Sequence, residues 1–487
     1  MANVMACLRL VTVEPVMFLY MLGSFLQYTS VQQLIYAKTC IQEYNSSDIC
    51  KNLTSSQEEY VQTQTSHWLI YLNLVQMVPS VIAALFLGSW SDTVGRKFSM
   101  ILPCLASCIY AAILIVSVVY IYSPIPFIFI GTFLLGCSGA YITITFAVFS
   151  YIADITGIKT RTKRVGILES MTFIGSTVGL LCSGVMLEHE GFIAVFAFYL
   201  SLNFASALYI LVWLDESVHS REVLDSLSHG ETIQIPQVDT GKRRIHTLCS
   251  ELCKLENIKK TLCVCFKKRE NFDRMHLILL AMTLLLFQLV GIGETDVTVL
   301  YTKRNPLHWS PELLGYYLAL NSFMKGLCLL TVMPLLTSKT SLHDTTIAMI
   351  GTVFRMAGYV LIAFSTTTWM MFIVPILMCM AGIPAAAVRS LISKIVNADE
   401  QGTLFSFMAA CESIVGFLAS FVFNSVYPAT SHILTGGFVY LLMAVILVIA
   451  LVLLFWVGDS KRKLNAYSAL VEPANSDTGA SEDCRDV

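Results

Sequence analysis

Twelve apolar stretches, each about 20 residues long, follow one another along this chain of 487 residues, and a helix of that length spans the hydrocarbon core of a bilayer. Only 13% of the residues are charged, whereas about a quarter are charged in a soluble protein. The alternating apolar and polar segments of a membrane barrel are absent from the sequence. The sequence therefore predicts an all-α membrane protein with helices near 14–37, 66–89, 98–121, 127–152, 164–187, 194–214, 274–300, 312–336, 345–366, 369–392, 403–425 and 435–457.

Charge and glycosylation signals agree on the orientation of these helices. Most of the 31 lysines and arginines lie in the termini and the even-numbered loops, and positively charged loops remain in the cytosol. The first loop carries glycosylation sequons at Asn45 and Asn52, which are modified only on a translocated segment. We therefore expect cytosolic termini and a glycosylated lumenal loop over 38–65.

A polar linker, 216–273, divides the twelve stretches into two sets of six. We expect six-helix bundles over 1–215 and 274–458, followed by a disordered cytosolic tail over 459–487. The basic clusters of the linker fit either attraction to anionic membrane lipid or a solvated segment that keeps positive charge in the cytosol.

A few charged residues interrupt the apolar stretches, chiefly Glu169, Lys325, Arg355, Arg389 and Glu412. A charge near the bilayer centre is expensive, so each is a candidate functional residue. A desolvated carboxyl group favours its protonated form and suits a proton carrier, while a guanidinium can hold a carboxylate or sulfate with two hydrogen bonds. The alternative for each charge is a structural ion pair between helices. The pattern favours a carrier of charged solutes.

A ten-residue motif after the second stretch contains Gly88, Asp92, Gly95, Arg96 and Lys97. Its glycines permit close helix contact and a tight turn, and its charges can bond to neighbouring helix ends. The spacing, G-x-x-x-D-x-x-G-R-K, resembles the cytoplasmic signature of the major facilitator superfamily. The resemblance implies a cytoplasmic gate at this motif and a substrate site near the midplane, between two halves that rock to alternate access.

Further segments narrow the resemblance from the superfamily to one family within it. These segments are Thr65–Tyr71, Asn305–Trp309, Val388–Lys394, Glu400–Phe405 and Phe423–Thr430. Together they are similar to solute carrier family 46, over nearly all twelve stretches. Members of that family include a proton-coupled folate transporter and a lysosomal exporter of steroid conjugates and bile acids. The resemblance implies that Glu169 takes part in proton coupling and that Arg389 handles substrate.

The seventh stretch departs from the folate transporter, which carries a histidine associated with coupling there. This chain reads Val290–Asp296 without a histidine, which argues against folate. Asp296 keeps the family's aspartate and Glu294 is additional. Either carboxylate is expected to be a lumenal proton site or part of a solvated helix end.

Glu412 is acidic, as in the lysosomal member of the family. It either pairs with Lys325 or Arg355 as a salt bridge between helices, or it is a second proton site. Lys325 in turn either attracts an anionic substrate or neutralises Glu412. Arg355 is expected to reach towards the cytosolic interface and is assigned no role.

Two cysteines of the predicted lumenal loop, Cys40 and Cys50, are expected to form a disulfide. The linker cysteines lack the paired spacing of a zinc site and fit free thiols or palmitoylated residues; they are Cys249, Cys253, Cys263 and Cys265. We expect no metal, no cofactor, no enzymatic activity and no nucleic-acid partner.

The tail contains Tyr467-x-x-Leu470, which is similar to the signals by which clathrin adaptors sort lysosomal proteins. With Glu412 and the missing histidine, it favours a lysosomal proton-coupled symporter that exports organic anions, such as steroid conjugates, bile acids and small catabolites. Glu169, Asp296 and Glu412 would carry protons, and Arg389 and Lys325 would bind the anion. The alternatives are proton-coupled folate or antifolate uptake at the plasma membrane, and a membrane receptor or scaffold without transport.

Overall fold

We describe a computed structural model of the chain over residues 12–44, 50, 55–217, 273–303, 307, 309, 311–340, 342–397, 400–430 and 433–476. All regular secondary structure in these residues is helical. Asn45, Asn52 and the four linker cysteines lie outside the described residues, as do the side chains of Tyr467 and Leu470.

The first set of spans contains seven helices in the described part of the chain, because its fourth span is broken in two. They are α1 Glu14–Tyr44, α2 Ser55–Val94, α3 Arg96–Val119, α4 Pro126–Cys137, α5 Ala140–Ile155, α6 Ile158–His189 and α7 Gly191–Trp213. The second set has a broken tenth span, in which a 3-10 turn, Met378–Gly382, joins two helices. Its α-helices are α8 Asp273–Lys303, α9 Pro311–Lys339, α10 Asp344–Ala363, α11 Thr368–Leu377, α12 Ile383–Ile395, α13 Gln401–Thr430 and α14 Phe438–Ser476, with a second 3-10 turn at Ile433–Gly436.

Eleven helical spans among the described residues are long and apolar enough to cross a membrane, when α4 with α5 and α11 with α12 each count as one. The remaining helix, α1, has 31 residues and is more polar, because Ser24, Gln27 and Gln32 line an internal cavity. These spans match the twelve predicted stretches, and the predicted all-α membrane fold is confirmed.

The breaks in the fourth and tenth spans occupy corresponding positions in the two sets of six. Between α4 and α5, Gly139 has φ 78° and Ala140 has φ 43°, and a Cβ at Gly139 would overlap the side chain of Thr143. A residue without Cβ is therefore required at this turn. Interrupted spans in matching positions of two halves mark the binding region of many transporters.

Several helices extend further than the sequence predicted. The loop expected over 38–65 is shorter, because α1 continues to Tyr44 and α2 begins at Ser55. The tail expected to be disordered from 459 begins as helix, since α14 continues to Ser476. Lysine, arginine, leucine and alanine in this segment are good helix formers, and they outweigh the polar composition on which the prediction rested.

We call the end of the bundle that carries Asp92 and Arg96 the inner end, which the charge pattern predicts to be cytosolic, and the opposite end the outer end. At the outer end a disulfide joins Cys40 of α1 to Cys50. The fully buried Lys38 of α1 donates to the backbone oxygens of Tyr120, Ile121 and Ser123 at 3.0–3.4 Å. These bonds fasten α1 to the loop after α3.

Candidate functional site

Three of the predicted charges meet at one guanidinium. Arg389 of α12 donates from Nη1 to both carboxylate oxygens of Glu169 at 2.7 Å, and from Nη2 to Oε2 of Glu412 at 2.7 Å. All three residues are buried. Glu169 lies on α6 in the first half and the other two lie in the second half, so this triad spans the boundary between the halves.

The composition of the triad creates an imbalance of charge. Two carboxylates and one guanidinium sum to one negative charge when both acids are ionised. A buried charge without a counter-charge costs several kcal/mol, so the triad stabilises one added proton. The expectation that Glu412 pairs with Lys325 or Arg355 is wrong, because its partner is Arg389.

Aromatic rings and a small void complete the surroundings of the triad. The guanidinium carbon of Arg389 lies 5.0 Å from the ring centre of Phe149 on α5, and Phe149 stacks on Phe405 of α13 at 6.1 Å. A void of about 10 Å³ is lined by Thr145, Phe149, Arg389 and Glu412, among others. This is about the space that one water molecule needs.

A second buried cluster centres on Glu294 of α8. Its Oε1 accepts from Lys325 at 3.0 Å and from Asn321 at 3.1 Å. Its Oε2 accepts from Tyr359 at 2.7 Å and from Arg355 at 3.4 Å. Two cations and one carboxylate sum to one positive charge, so this cluster attracts an anion as the triad attracts a proton.

This arrangement corrects three expectations from the sequence. Lys325 does not neutralise Glu412, because its partner is Glu294. Arg355 does not reach towards the cytosolic interface; its Nε donates to Tyr359 at 2.9 Å and its Nη1 to the Phe287 carbonyl at 3.4 Å. Glu294 is buried rather than part of a solvated helix end.

Asp296 lies apart from both clusters and faces α13. It is half-buried, and its Oδ2 accepts from Ser420 at 2.5 Å and from Asn424 at 3.3 Å. Of the three predicted proton sites, the structure therefore brings together Glu169 and Glu412 and leaves Asp296 separate.

A cavity of about 460 Å³ lies between helices of the first half and α8. Residues in the middle and towards the outer end of these helices form its wall. In the described residues this wall carries hydroxyl and amide groups but no lysine, arginine or carboxylate, and its polar members include Gln27, Gln32, Asn73, Gln76, Tyr141 and Gln288. Arg389 and Lys325 are outside the wall.

The predicted gate motif joins the two halves at the inner end. Asp92 accepts from the backbone N–H groups of Gly402 at 2.8 Å and Thr403 at 2.7 Å, at the N-terminus of α13, where the helix dipole favours a carboxylate. A Cβ at Gly88 would overlap the Ser406 side chain, so this glycine lets α2 approach α13. Gly95 directly precedes α3 and has φ 134°, a backbone conformation that favours glycine.

The basic residues of the motif bind to the first half and to the first residue of the linker. Arg96 is fully buried and pairs with Asp92 at 2.6 Å and with Asp154 of α5 at 3.0 Å. Glu216 accepts from the N–H groups of Arg96 at 2.6 Å and Lys97 at 3.3 Å. Asp154 and Glu216 were not predicted as part of this gate. The sequence feature that could have identified them is their position near the inner ends of two spans.

A second contact between the halves lies at the same end. Thr162 of α6 is hydrogen-bonded to Ser390 of α12 at 2.8 Å and to Asp344 of α10 at 2.9 Å. Lys394 pairs with Asp344 at 2.5 Å, and Arg161 donates to the Ser393 carbonyl at 2.7 Å. With both contacts formed, the halves are closed together at the inner end.

Comparison with known proteins identifies relatives over most of the chain. The profile of the Major Facilitator Superfamily matches residues 15–420. The lysosomal proton-coupled steroid conjugate and bile acid symporter of Gallus gallus is 30% identical over 92% of this chain and 94% of its own length. The proton-coupled folate transporter of Rattus norvegicus is 29% identical over 91% of both chains.

Solved structures share the fold at lower identity. The human organic anion transporter TETRAN is 13% identical, with a TM-score of 0.63 over 91% of this chain and 98% of its own. The proton:xylose symporter XylE is 13% identical, with a TM-score of 0.60 over 91% of this chain and 95% of its own. These likenesses concern the arrangement of helices alone.

Proposed function

The chain belongs to the major facilitator superfamily and, within it, to solute carrier family 46, and from this premise we propose that it is a proton-coupled symporter. It moves organic anions from the lysosome to the cytosol by alternating access. The observation that carries the proposal is the triad, in which Arg389 holds Glu169 and Glu412 within 2.7 Å.

The triad links proton binding to movement of the halves. The bond from Arg389 to Glu169 crosses the boundary between them, and protonation of Glu169 removes the charge that makes this bond strong. The acidic lumen then supplies the proton, and the weakened contact permits the halves to rock. Asp296, towards the outer end, is a proton site on the path from the lumen.

Two cations receive the anion. Protonation of the triad releases donors of Arg389 that both glutamates occupy in this structure. Lys325 belongs to the cluster with one surplus positive charge and has a single acidic partner in the described part of the chain. The amide and hydroxyl groups of the cavity hold the uncharged part of the substrate.

The proposed location in the lysosome, and steroid conjugates, bile acids or small catabolites as substrates, are supported by the names of relatives such as the Gallus gallus symporter. Tyr467 and Leu470 would recruit a clathrin adaptor, and glycans on Asn45 and Asn52 would face the lumen. The gate at Asp92 would open to the cytosol after the outer end closes.

Proteoliposomes containing the full chain and a pH-sensitive dye test this function. We expect a radiolabelled steroid sulfate to cause proton flux, and Glu169→Gln to lower that flux at least about tenfold. The matched control is Glu188→Gln, an exposed residue of the same helix, which should transport like the wild type. Full proton-driven transport by Glu169→Gln would refute the assignment.

Folate or antifolate uptake at the plasma membrane is the second candidate, since a folate transporter is 29% identical over 91% of the chain. In the same proteoliposomes, unlabelled folate should fail to compete with the steroid sulfate if the first proposal holds. Effective competition by folate, with surface location of a tagged chain, would favour the second.

A further inference from the structure

The proton site and the water-accessible cavity are separate in this structure. Arg389 and Glu412 line the small void, whereas the 460 Å³ cavity has a wall of neutral residues that includes neither. If the chain couples transport to protons, as proposed above, a proton must pass from cavity water to the triad without opening the halves.

One face of α5 connects the two spaces. Tyr141, Thr145 and Phe149 are spaced by four residues, so their side chains follow one another along the same side of the helix. Tyr141 lies in the wall of the cavity and is 42% exposed. Thr145 and Phe149 line the void together with Glu412.

The break in the fourth span places Tyr141 at this junction. Tyr141 directly follows Gly139 and Ala140, both with positive φ, and it lies in the first turn of α5. Its backbone oxygen accepts from Oγ1 of Thr145 at 2.7 Å, and Thr145 lines the void.

The charged and titratable groups in electrostatic contact with the Tyr141 hydroxyl lie on four other helices. Glu169 of α6, Arg389 of α12 and Glu412 of α13 lie within electrostatic range of its hydroxyl, and Tyr20 of α1 faces it across the cavity wall. The only strong proton acceptors in this set are the two glutamates, because the arginine stays protonated.

We propose that Tyr141 is a proton relay between the cavity and Glu412, with one water molecule in the void, beside Thr145, completing the path. A hydronium ion in the cavity donates to the Tyr141 oxygen as the tyrosine O–H bond breaks. The released proton passes to the water in the void, whose own proton forms the O–H bond on Glu412. The tyrosine is neutral before and after, and the cavity retains one water.

The size of the void explains why only protons take this route. About 10 Å³ admits a single water, which excludes a hydrated metal ion or an organic anion. The stacked rings of Phe149 and Phe405 also line it. The relay therefore admits protons to the triad while the halves stay joined.

Proton uptake by the purified full-length chain after a jump from neutral to mildly acidic pH tests the relay without any organic anion. The uptake by each protein is compared with the uptake by the same protein carrying Glu412→Gln. The difference between the two is the proton taken up by Glu412. We expect Tyr141→Phe to slow this uptake about tenfold and to leave its final amplitude unchanged. Tyr151→Phe is the control. It removes another tyrosine hydroxyl from the same helix, and that hydroxyl donates to the Asp215 carbonyl.

Three results would overturn the relay: uptake by Tyr141→Phe at the wild-type rate, a lost amplitude that indicates a merely structural role, or no difference between the wild type and Glu412→Gln. The proposed function fails separately, when the wild type shows no proton flux with a steroid sulfate or folate in proteoliposomes. If the wild type takes up the proton through Tyr141 but shows no such flux, the relay stands and the proposed function fails.

Discussion

Nη1 of Arg389 donates to both carboxylate oxygens of Glu169 at 2.7 Å, and this bond ties α12 of one half to α6 of the other. The same guanidinium holds Glu412, so a single cation stabilises two acids. The strength of this contact between the halves therefore depends on the charge of the two glutamates.

Replacement of Arg389 by methionine should lower stability strongly at neutral pH. The two glutamates would remain buried without a counter-charge, at a cost of about 3–5 kcal/mol. The loss should shrink at acidic pH, because protonation removes both charges. Thermal unfolding in detergent at both pH values measures this, with Arg274→Met, on an exposed residue, as the control. Equal losses at the two pH values would contradict ionised glutamates in the triad.

A larger side chain at Gly88 should disturb its contact with Ser406 and lower transport. Gly88→Ala places a methyl group where the serine side chain lies, and overpacking of this kind costs about 1–3 kcal/mol. We expect transport to fall about tenfold or more as the inner end loses closure. Addition of Ser406→Gly should restore part of the rate. Gly184→Ala is the control, since nothing lies within 4 Å of that position. A double variant no better than Gly88→Ala would argue against the contact.

Lys325 should affect substrate affinity more than turnover. We expect Lys325→Gln to raise KM for a steroid sulfate about tenfold, which corresponds to about 1.4 kcal/mol, and Lys325→Arg to retain most of the affinity. Initial rates of uptake across substrate concentrations provide the measurement. Lys339→Gln, on an exposed residue of the same helix, should keep the wild-type KM. An unchanged KM in Lys325→Gln would exclude this lysine from anion binding.

Glu294 and Lys325 should be coupled in stability. Glu294→Gln leaves Lys325 and Arg355 without a counter-charge, so unfolding should require less heat. The double variant with Lys325→Gln returns the cluster to one surplus positive charge and should be more stable than Glu294→Gln alone. The coupling expected from a double-mutant cycle is about 0.5–3 kcal/mol. Additive losses would show that the ion pair contributes little.

Features that depend on local sequence could be predicted well. The spans follow from the length of the apolar segments. The gate residue Asp92 of α2 bonds to the start of α13, which is the contact with a neighbouring helix end that its motif implies. The charges in the middle of a span, such as Glu169, Arg389 and Glu412, were identifiable as exceptional because a charge near the bilayer centre is expensive.

The partners of the charges could not be predicted, because they depend on how the spans pack. Glu412 and Glu294 were each compatible with several cations, and only the tertiary arrangement, which brings Lys325 of α9 and Arg355 of α10 to Glu294 of α8, assigns them to it. The spacing offered a partial signal. Tyr359 is four residues after Arg355 and Asn321 is four residues before Lys325, so each lies on the same face as its cation.

The opposite imbalances of the two clusters have an electrical consequence. The triad carries one negative charge too many and the Glu294 cluster one positive charge too many. One proton in the first and one monovalent anion in the second would neutralise both. Under the proposed function, the loaded carrier would then cross with no net charge. Transport of a monoanion at this ratio would be electroneutral, driven by the pH difference across the membrane and insensitive to voltage.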